Sequence, residues 1–378
     1  MKKILVLGAG MVGKAIAIDL SKKHYVTSVD INEEALYRLS KEQPQIKTIL
    51  ADVANSAELT KLLKDFDLII SAVPGFLGFA VLKTIINAGK DVVDISFMPE
   101  DALQLHDLAV QNNVTAITDC GVAPGIPNFI VGYHNETMKI DNFEYMVGGL
   151  PKVRNFPFEY KAPFSPVDVL EEYTRPARYL ENGHIIVKPP MSDPEYVNFK
   201  QVGDLEAFNT DGLRSLLYTM SNIQSMKEKT LRYPGHIHII KALTASGFFS
   251  TDSIEIAGKS MRPFDFTSKI LFKEWKLNPD EPEFTVMLIK ITGEQDGVAT
   301  EIMYELYDEF DVASQTSSMA RTTGYTATAT AQLFLSGGFT QKGLYPPELV
   351  GKDATCFEFI MQYLKDRNII YYKSERNL

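Results

Sequence analysis

Three glycines near the N-terminus form a pattern that suits the binding of a dinucleotide. They are Gly8, Gly10 and Gly13, and they directly follow the apolar run Ile4–Leu7. Between a strand and a helix, the first glycine makes the turn, the second lets a pyrophosphate approach the backbone, and the third lets helix and strand pack closely. The helix N-terminus then offers free N–H groups to the phosphates. The predicted cofactor contacts in this loop are Gly8, Gly10, Met11, Val12 and Gly13.

An acidic residue follows at the spacing that ribose recognition requires. Asp30 ends the second apolar run, about 20 residues after the glycines, where a carboxylate accepts a hydrogen bond from the ribose 2′-hydroxyl. A 2′-phosphate about 4 Å away would be repelled by about 4 kcal/mol at an effective dielectric near 20. Neither Ile31 nor Asn32 supplies a compensating cation. The pattern predicts NAD rather than NADP, the alternative being that Asp30 is an ordinary strand-end residue.

Two further positions are predicted to contact the cofactor. Asp52 follows the third strand, where it would reach the adenine amino group or instead cap a turn. The backbone of Ala72, Val73 and Pro74 closes the fourth strand and would line the cofactor. Both predictions follow from the rule that ligands of such sheets bind outside the carboxyl ends of the strands.

Three residues are candidates for proton transfer, namely Asp119, Lys161 and His236. Asp119 ends the sixth predicted strand, where it would face the substrate or cap the next helix. His236 would act as a base or proton shuttle, or serve as a buried structural histidine. The neighbouring Cys120 has no local partner, and we expect it to be packed and inert.

Polar side chains are dense in three later stretches, residues 158–178, 209–214 and 230–236. Arginine suits a substrate carboxylate because its planar fork binds two oxygens at once. Carboxylates and tyrosines suit a substrate ammonium group. Surface salt bridges are the alternative for each residue. The predicted substrate contacts are Arg175, Arg178, Asn209, Thr210, Arg214, Arg232 and Tyr233.

The first third of the chain alternates predicted strands and helices. The strands are short, β-branched and almost continuously apolar, as in sheets buried on both faces. Such a βαβ alternation predicts a Rossmann-type, doubly wound parallel α/β sheet. The predicted strands are Ile4–Leu7, Val26–Asp30, Ile46–Leu50, Leu68–Val73, Asp91–Ile95 and Val114–Thr118, and the predicted helices are Val12–Lys23, Glu33–Lys41, Ala57–Lys64, Phe76–Ala88 and Pro99–Asn112.

The pattern changes twice along the chain. We predict a dinucleotide-binding domain over residues 1–121 and an α+β substrate and dimerisation domain over residues 122–320. Residues 321–378 are predicted to return to the first domain. In this last segment a helix over Thr322–Leu335 is rich in small residues, and Asp353 is the predicted N-cap of a final amphipathic helix.

Composition limits the class of protein. The chain has 378 residues, enough for two or three domains, and a net charge of −10 at pH 7. That charge argues against nucleic-acid and anionic-membrane partners, which require a basic surface. The apolar stretch Leu68–Leu82 is interrupted by Pro74 and is too short to span a bilayer. The two cysteines support neither a disulfide framework nor a zinc site, and we expect a cytoplasmic protein without bound metal.

Several motifs together resemble the saccharopine dehydrogenase-like family, and within it the lysine 6-dehydrogenases. The resemblance implies an NAD-binding domain completed by the C-terminal segment. It also implies a middle α/β domain for substrate binding and for assembly into a homodimer or larger homo-oligomer. The motifs are Gly8–Gly13, Gly121–Ile126, Gly148–Pro151, Tyr160-Lys161…Ser165-Pro166, Thr230–His236 and Lys342-Gly343…Pro346-Pro347-Glu348.

One motif departs from the pattern of the saccharopine-forming reductases, which is Gly-Leu-Asp-Pro-Gly-Ile-Asp-His. Here Ala123 replaces its first acid, and Pro127-Asn128 replace Asp-His. The departure favours an amino acid smaller than saccharopine. The resemblance then implies NAD-dependent oxidative deamination of L-lysine at its 6-amino group, which gives 2-aminoadipate 6-semialdehyde and ammonia. The alternatives are a saccharopine-type dehydrogenase acting on a secondary amine and an NAD-binding regulatory protein without turnover.

Deamination of a primary amine requires that the ammonium group first loses a proton. An ammonium group has no lone pair to expel a hydride, and with a pKa of ~10.4 the formation of the neutral amine at pH 7 costs about 4.6 kcal/mol. The enzyme must supply a base or work best in alkali. We therefore expect an alkaline optimum.

Overall fold

The first unit is a seven-stranded parallel sheet with helices on both faces. The computed structural model describes residues 1–278 and 281–378. The strands of this sheet are β1 (Lys3–Leu7), β2 (Tyr25–Asp30), β3 (Lys47–Leu50), β4 (Leu68–Ser71), β5 (Val92–Asp94), β6 (Thr115–Ile117) and β17 (Gly343–Tyr345). They lie in the order β17-β6-β5-β4-β1-β2-β3, and β1 and β4 are buried almost completely.

The helices of this unit follow the predicted ones with one exception. Residues 99–112 do not form one helix, because the Asp101 side chain caps a separate 3-10 turn, Ala102–Leu105, before α5 begins. The helices are α1 (Met11–Ser21), α2 (Glu33–Glu42), α3 (Ser56–Leu63), α4 (Gly75–Asn87) and α5 (His106–Gln111).

The second unit is built on a nine-stranded mixed sheet of order β10-β11-β12-β7-β15-β16-β18, with β8 beside β12 and β9 beside β8. Strands β7 and β12 pair in parallel, whereas the other pairs are antiparallel. The strands are β7 (Lys139–Pro151), β8 (Ala177–Glu181), β9 (His184–Lys188), β10 (Glu195–Phe199), β11 (Gly203–Asn209), β12 (Ser225–Arg232), β15 (Glu283–Gln295), β16 (Val298–Glu309) and β18 (Tyr372–Asn377).

Five helices and one small exposed hairpin complete this unit. The helices are α6 (Ile126–His134), α7 (Pro166–Thr174), α8 (Leu216–Thr219), α9 (His236–Ala245) and α10 (Pro263–Glu274), and the hairpin is β13 (Ile254–Ile256) with β14 (Lys259–Met261). The two units together confirm the predicted fold class, a doubly wound parallel sheet followed by an α+β unit.

The C-terminal segment serves both sheets. It contains α11 (Ser318–Leu335), α12 (Pro347–Gly351) and α13 (Ala354–Lys365). Strand β17 pairs with β6 in the parallel sheet, whereas β18 pairs with β16 in the mixed sheet. Asp353 caps α13 as predicted, through the backbone N–H groups of Thr355 and Cys356. The segment therefore does more than return to the first unit, since its last strand extends the second sheet.

A buried carboxylate joins α1 to the C-terminal helices. Asp19 Oδ2 accepts hydrogen bonds from Thr328 Oγ1 (2.8 Å), the Tyr363 hydroxyl (2.7 Å) and Arg367 Nε (3.0 Å). Burial by itself raises the pKa of Asp19, but the Arg367 charge and these three hydrogen bonds hold it below its ordinary value. The group is therefore ionised, and the helix that follows the glycine loop is fixed to α11 and α13.

The cysteines and the apolar helices were both assessed from the sequence. Both Cys120 and Cys356 are buried and free. In the described residues, no helix combines the length and apolar character needed to cross a bilayer.

Replacement of Asp19 by asparagine should destabilise the fold. The change leaves Arg367 without its buried counter-charge, and we expect a loss of about 3 kcal/mol in the free energy of unfolding. Urea denaturation at pH 7 measures this loss. The control is Lys22→Ala, which removes a partner of Asp19 that is 61% exposed and should cost under about 1 kcal/mol. Equal, small losses in both variants would show that the α1 contact does not need the charge.

Candidate functional site

One cavity of about 690 Å³ lies where the two units meet. The parallel sheet contributes the loops at the carboxyl ends of β1, β2, β3, β4 and β5. The mixed sheet contributes residues of β7 and β12, and α7 and α11 complete the wall. The cavity therefore lies where doubly wound sheets bind ligands, and it has a second wall of different chemistry.

The glycine loop forms the phosphate end of the cavity. Gly8 needs its positive φ of +103°, and a Cβ on Gly13 would lie 2.1 Å from the Gly8 carbonyl oxygen. By contrast, a Cβ on Gly10 would meet no protein atom within 4 Å. Helix α1 starts at Met11 with no side chain capping it in the described structure. Its free N–H groups and the space over Gly10 fit a pyrophosphate.

The adenosine end is acidic. Asp30 Oδ2 accepts from the Ala9 N–H (2.6 Å), and Oδ1 accepts from the Asn32 N–H (2.7 Å). Asp52 also lines this end, and its Oδ1 accepts from the Ala54 N–H (2.9 Å). All ten predicted cofactor residues line the cavity: Gly8, Gly10, Met11, Val12, Gly13, Asp30, Asp52, Ala72, Val73 and Pro74.

The far half of the cavity, which the mixed sheet and α7 supply, is rich in carboxylates. Five acidic side chains line it against two arginines, Arg175 and Arg232, which are the cations of the cavity wall among the described residues. The acids are Asp168, Glu171, Glu172, Asp211 and Glu228. This half of the cavity therefore suits a positively charged group.

Three of the acids are neutralised by arginines. Arg175 binds Glu171 at 3.1 Å, and Arg178 binds Asp211 through two hydrogen bonds of 2.8 and 2.9 Å. The third pair is Arg232 with Glu172.

Arg232 has few free donors. Its Nε donates to the Tyr173 hydroxyl (2.9 Å), and its guanidinium lies 4.4 Å from the centre of the Tyr160 ring. Burial raises the pKa of Glu172 even though Arg232 opposes the shift. Arg232 therefore holds Glu172 at the cavity wall.

Glu228 lies on β12 and lines the cavity, although the sequence analysis did not identify it as a candidate. Its Oε2 accepts hydrogen bonds from Thr210 Oγ1 (2.6 Å) and from the Gly212 N–H (3.0 Å). Burial raises its pKa to about 8, against the Thr210 hydrogen bond and with the help of the Glu172 charge. The signal was present: Glu228 precedes the Thr230–His236 motif by two residues, and period-two alternation along β12 places Glu228, Thr230 and Arg232 on one face.

The three predicted proton-transfer residues do not line this cavity. Asp119 is paired with Arg214 at 2.9 Å, beside a separate void of about 30 Å³. Lys161 donates to the Glu274 carbonyl (2.7 Å) at the surface. Asp119 and Lys161 thus each interact with a residue that is distant in the sequence and that the sequence analysis did not identify.

His236 is buried behind the cavity wall. Its Nδ1 lies 2.9 Å from the Phe158 carbonyl, so Nδ1 carries the hydrogen and Nε2 accepts from the Tyr173 hydroxyl. Burial, helped by the Arg232 charge, lowers its pKa to about 3. The ring is neutral and orients Tyr173, which in turn accepts from Arg232.

The predicted substrate contacts divide into three groups. Arg175, Thr210 and Arg232 line the cavity, whereas Arg178 and Arg214 border the smaller void. Asn209 donates to Ser192 and Asp193, and the Tyr233 hydroxyl donates to the Pro151 carbonyl (2.9 Å). These last two side chains are engaged in holding loops together.

Comparison with family models assigns nearly the whole chain. Residues 4–117 match the saccharopine dehydrogenase NADP binding domain, and residues 121–370 match the saccharopine dehydrogenase C-terminal domain. The chain belongs to the saccharopine dehydrogenase family. The resemblance to the saccharopine dehydrogenase-like family is thereby confirmed.

Curated relatives in the family are similar at low identity. The alpha-aminoadipic semialdehyde synthase of Arabidopsis thaliana is 25% identical over 370 residues, which are 85% of this chain and 35% of that protein. The saccharopine dehydrogenase (NADP(+), L-glutamate-forming) of Saccharomyces cerevisiae is 27% identical over 281 residues, 68% of this chain and 61% of that protein. The chain thus spans only part of the length of either relative.

A solved structure in the same family has this fold. The apo histidine-tagged saccharopine dehydrogenase (L-Glu forming) from Saccharomyces cerevisiae superposes with a TM-score of 0.81. The alignment covers 100% of both chains at 22% identity, and it supports the architecture of both sheets.

Two motifs of the family meet away from the cavity. Asn128 Nδ2 donates to the buried Glu348 Oε2 (2.9 Å), while Asn128 Oδ1 accepts from the Gly125 N–H (3.1 Å). The Gly121–Ile126 loop and the Pro346-Pro347-Glu348 motif are therefore held together. Ala123, where the reductase pattern has an acid, lines the cavity.

Substitutions at Gly10 and Gly13 should separate binding from folding. Gly10→Val adds a side chain whose Cβ meets no protein atom within 4 Å, so we expect an unchanged Tm and at least a tenfold weaker binding of NADH. Gly13→Val forces Cβ against the Gly8 carbonyl and should lower Tm. Thermal melts and NADH fluorescence titrations measure both effects. Tight NADH binding by Gly10→Val would place the pyrophosphate elsewhere.

Proposed function

We propose that this family member is an NAD-dependent dehydrogenase that oxidises a C–N bond of a cationic amino acid, with L-lysine at its 6-amino group as the substrate. The observation that carries the proposal is the set of five carboxylates in the far half of the cavity, of which three pair with arginines while Asp168 and Glu228 have no ion-pair partner among the described residues. Lysine brings two ammonium groups and one carboxylate at neutral pH. A carboxylate of the substrate finds a partner in Arg175, whose guanidinium shares only one hydrogen bond with Glu171.

The choice of NAD over NADP rests on the adenosine end. Both oxygens of Asp30 are held by backbone N–H groups, which keeps the carboxylate at the ribose position. The two arginines of the cavity wall belong to the opposite half, so no lining cation among the described residues would balance a 2′-phosphate. The N-terminal family model carries an NADP description, and Asp30 is the reason to expect NAD in this chain.

The proposed reaction removes two electrons from the carbon that bears nitrogen. A dinucleotide held at the glycine loop would supply the hydride acceptor. Loss of the hydride and of one proton converts the ammonium substrate to a protonated imine. Water hydrolyses the imine to a semialdehyde and ammonia. The acidic wall holds the substrate as a cation, and the same charges disfavour loss of its proton, so a proton acceptor is needed within the cavity.

A saccharopine dehydrogenase activity is the second candidate. It is favoured by the printed names of the relatives and by the free donors of Arg175. Saccharopine carries three carboxylates, whereas the described part of the cavity wall has two arginines, one of which is paired with Glu172. Ala123 also lacks the acid of the reductase pattern.

A panel of amines tests the substrate. With NAD at pH 9, L-lysine should raise absorbance at 340 nm and release ammonia, at a rate that increases from pH 7 towards alkali. Saccharopine and NADP form the second arm, in which glutamate is measured. Release of glutamate without reaction of lysine would favour the second candidate. No reduction of either dinucleotide by any amine would favour a regulatory protein.

The role of Asp30 is tested by changing its charge. The wild-type protein should prefer NAD to NADP in kcat/KM by at least about tenfold, and Asp30→Ser should reduce that ratio because the repulsion of a 2′-phosphate is removed. Asp52→Asn, at the same end of the cavity, serves as the matched control and should leave the ratio unchanged. A wild-type preference for NADP would contradict the assignment.

A further inference from the structure

We propose that Glu228 accepts the proton released by the substrate amine, and this inference rests on the proposed function. Among the acids of the far half, Glu171, Glu172 and Asp211 each bind an arginine. Asp168 and Glu228 remain without a cation. Asp168 Oδ1 accepts a hydrogen bond from the Gly75 N–H at the start of α4 (3.2 Å). Glu228 instead lies on β12 of the mixed sheet, where it lines the cavity.

The hydrogen bonds around Glu228 leave one oxygen free for a proton. Thr210 has a single hydroxyl hydrogen, which it donates to Oε2, so its own oxygen accepts from Thr230 Oγ1 (2.8 Å). The Gly212 N–H also donates to Oε2. Oε2 is therefore committed as an acceptor, and no hydrogen bond from the described residues reaches Oε1. The incoming proton is received at Oε1 without breaking the network.

The position of the carboxylate depends on a glycine. A Cβ at residue 212 would lie 2.5 Å from Glu228 Cδ and 2.7 Å from Oε2. Any side chain at this position would push the carboxylate from its place. The close approach of Gly212 is what allows its N–H to bind Oε2.

The surroundings tune Glu228 for this step. Its burial and the neighbouring charges raise its pKa to about 8. An ordinary carboxyl, near 4.3, lies about six pK units below an amine of ~10.4, and the raised value narrows that gap to about two. The titratable or charged groups that face it are Glu172 on α7, Asp211 after β11, Tyr145 on β7 and, on its own strand, Arg232.

The proton transfer balances with the proposed oxidation. An N–H bond of the substrate ammonium breaks, and an O–H bond forms at Glu228 Oε1. The freed lone pair forms the C=N bond as the hydride leaves carbon for the bound dinucleotide. Glu228 must then lose its proton to solvent before the next turnover, which sets an acidic limb near pH 8 in kcat/KM.

The first test is Glu228→Gln, assayed with L-lysine and NAD from pH 7 to 10.5. The amide oxygen still accepts from Thr210 and Gly212, so we expect wild-type melting and NADH binding. At pH 9 we expect kcat/KM to fall by about 10²- to 10⁴-fold, with a residual rate that keeps rising with pH. Asp168→Asn, which also removes a lining carboxylate, should raise KM and retain the limb near pH 8.

A second variant moves the limb without removing the carboxylate. Thr210→Val deletes a hydrogen bond that lowers the pKa of Glu228, so its acidic limb should shift to higher pH by at least half a unit. This variant also decides the matter if Glu228→Gln does not fold. An unmoved limb in Thr210→Val, or near-normal activity of Glu228→Gln, would overturn the assignment while lysine oxidation stands. Inactivity of the wild-type protein with every amine would remove both proposals.

Discussion

The buried charge of Asp19 is the contact on which the arrangement of the two units depends. It joins α1, which begins at the glycine loop, to α11 and α13 of the C-terminal segment. Helix α11 in turn lines the cavity with Met319 and Thr323. Because Gly324 lies against Ile16 with no side chain between them, the two helices approach closely. Helix α11 therefore packs against the helix of the glycine loop and also lines the cavity.

The cavity itself combines two ways of keeping carboxylates in a buried place. Glu172 and Asp211 each lie against an arginine, whose charge offsets the desolvation of a buried carboxylate. Glu228 has hydrogen bonds but no cation, so burial acts on its proton affinity instead. The paired acids form ion pairs with little net charge, whereas Glu228, whose pKa is raised to about 8, changes its protonation state near neutral pH. Fixing the cavity wall and exchanging a proton thus belong to different residues.

The sequence predicted those parts of the molecule that local patterns determine. The glycine loop, Asp30 and the strand ends at Ala72–Pro74 follow one another along short stretches, and all of them lie at the cavity. The N-cap at Asp353 was confirmed for the same reason. Glu228, Thr210 and Gly212 could not be predicted as a set, because the pairing of β11 with β12 and of β12 with β7 brings them together. Likewise, the partner of Asp119 is Arg214, 95 residues later.

The motif Thr230–His236 shows how a sequence can point to a site through residues that do not touch the ligand. His236 is neutral and enclosed, yet it fixes the hydroxyl of Tyr173 by accepting its hydrogen. Tyr173 then accepts from Arg232, and Arg232 holds Glu172 at the cavity wall. Each step has a defined donor, since Arg232 donates both to Tyr173 and to Glu172, and Tyr173 donates to His236. The histidine therefore acts on the cavity by orienting the Tyr173 hydroxyl. A proton on its Nε2 would reverse the hydrogen bond between His236 and Tyr173.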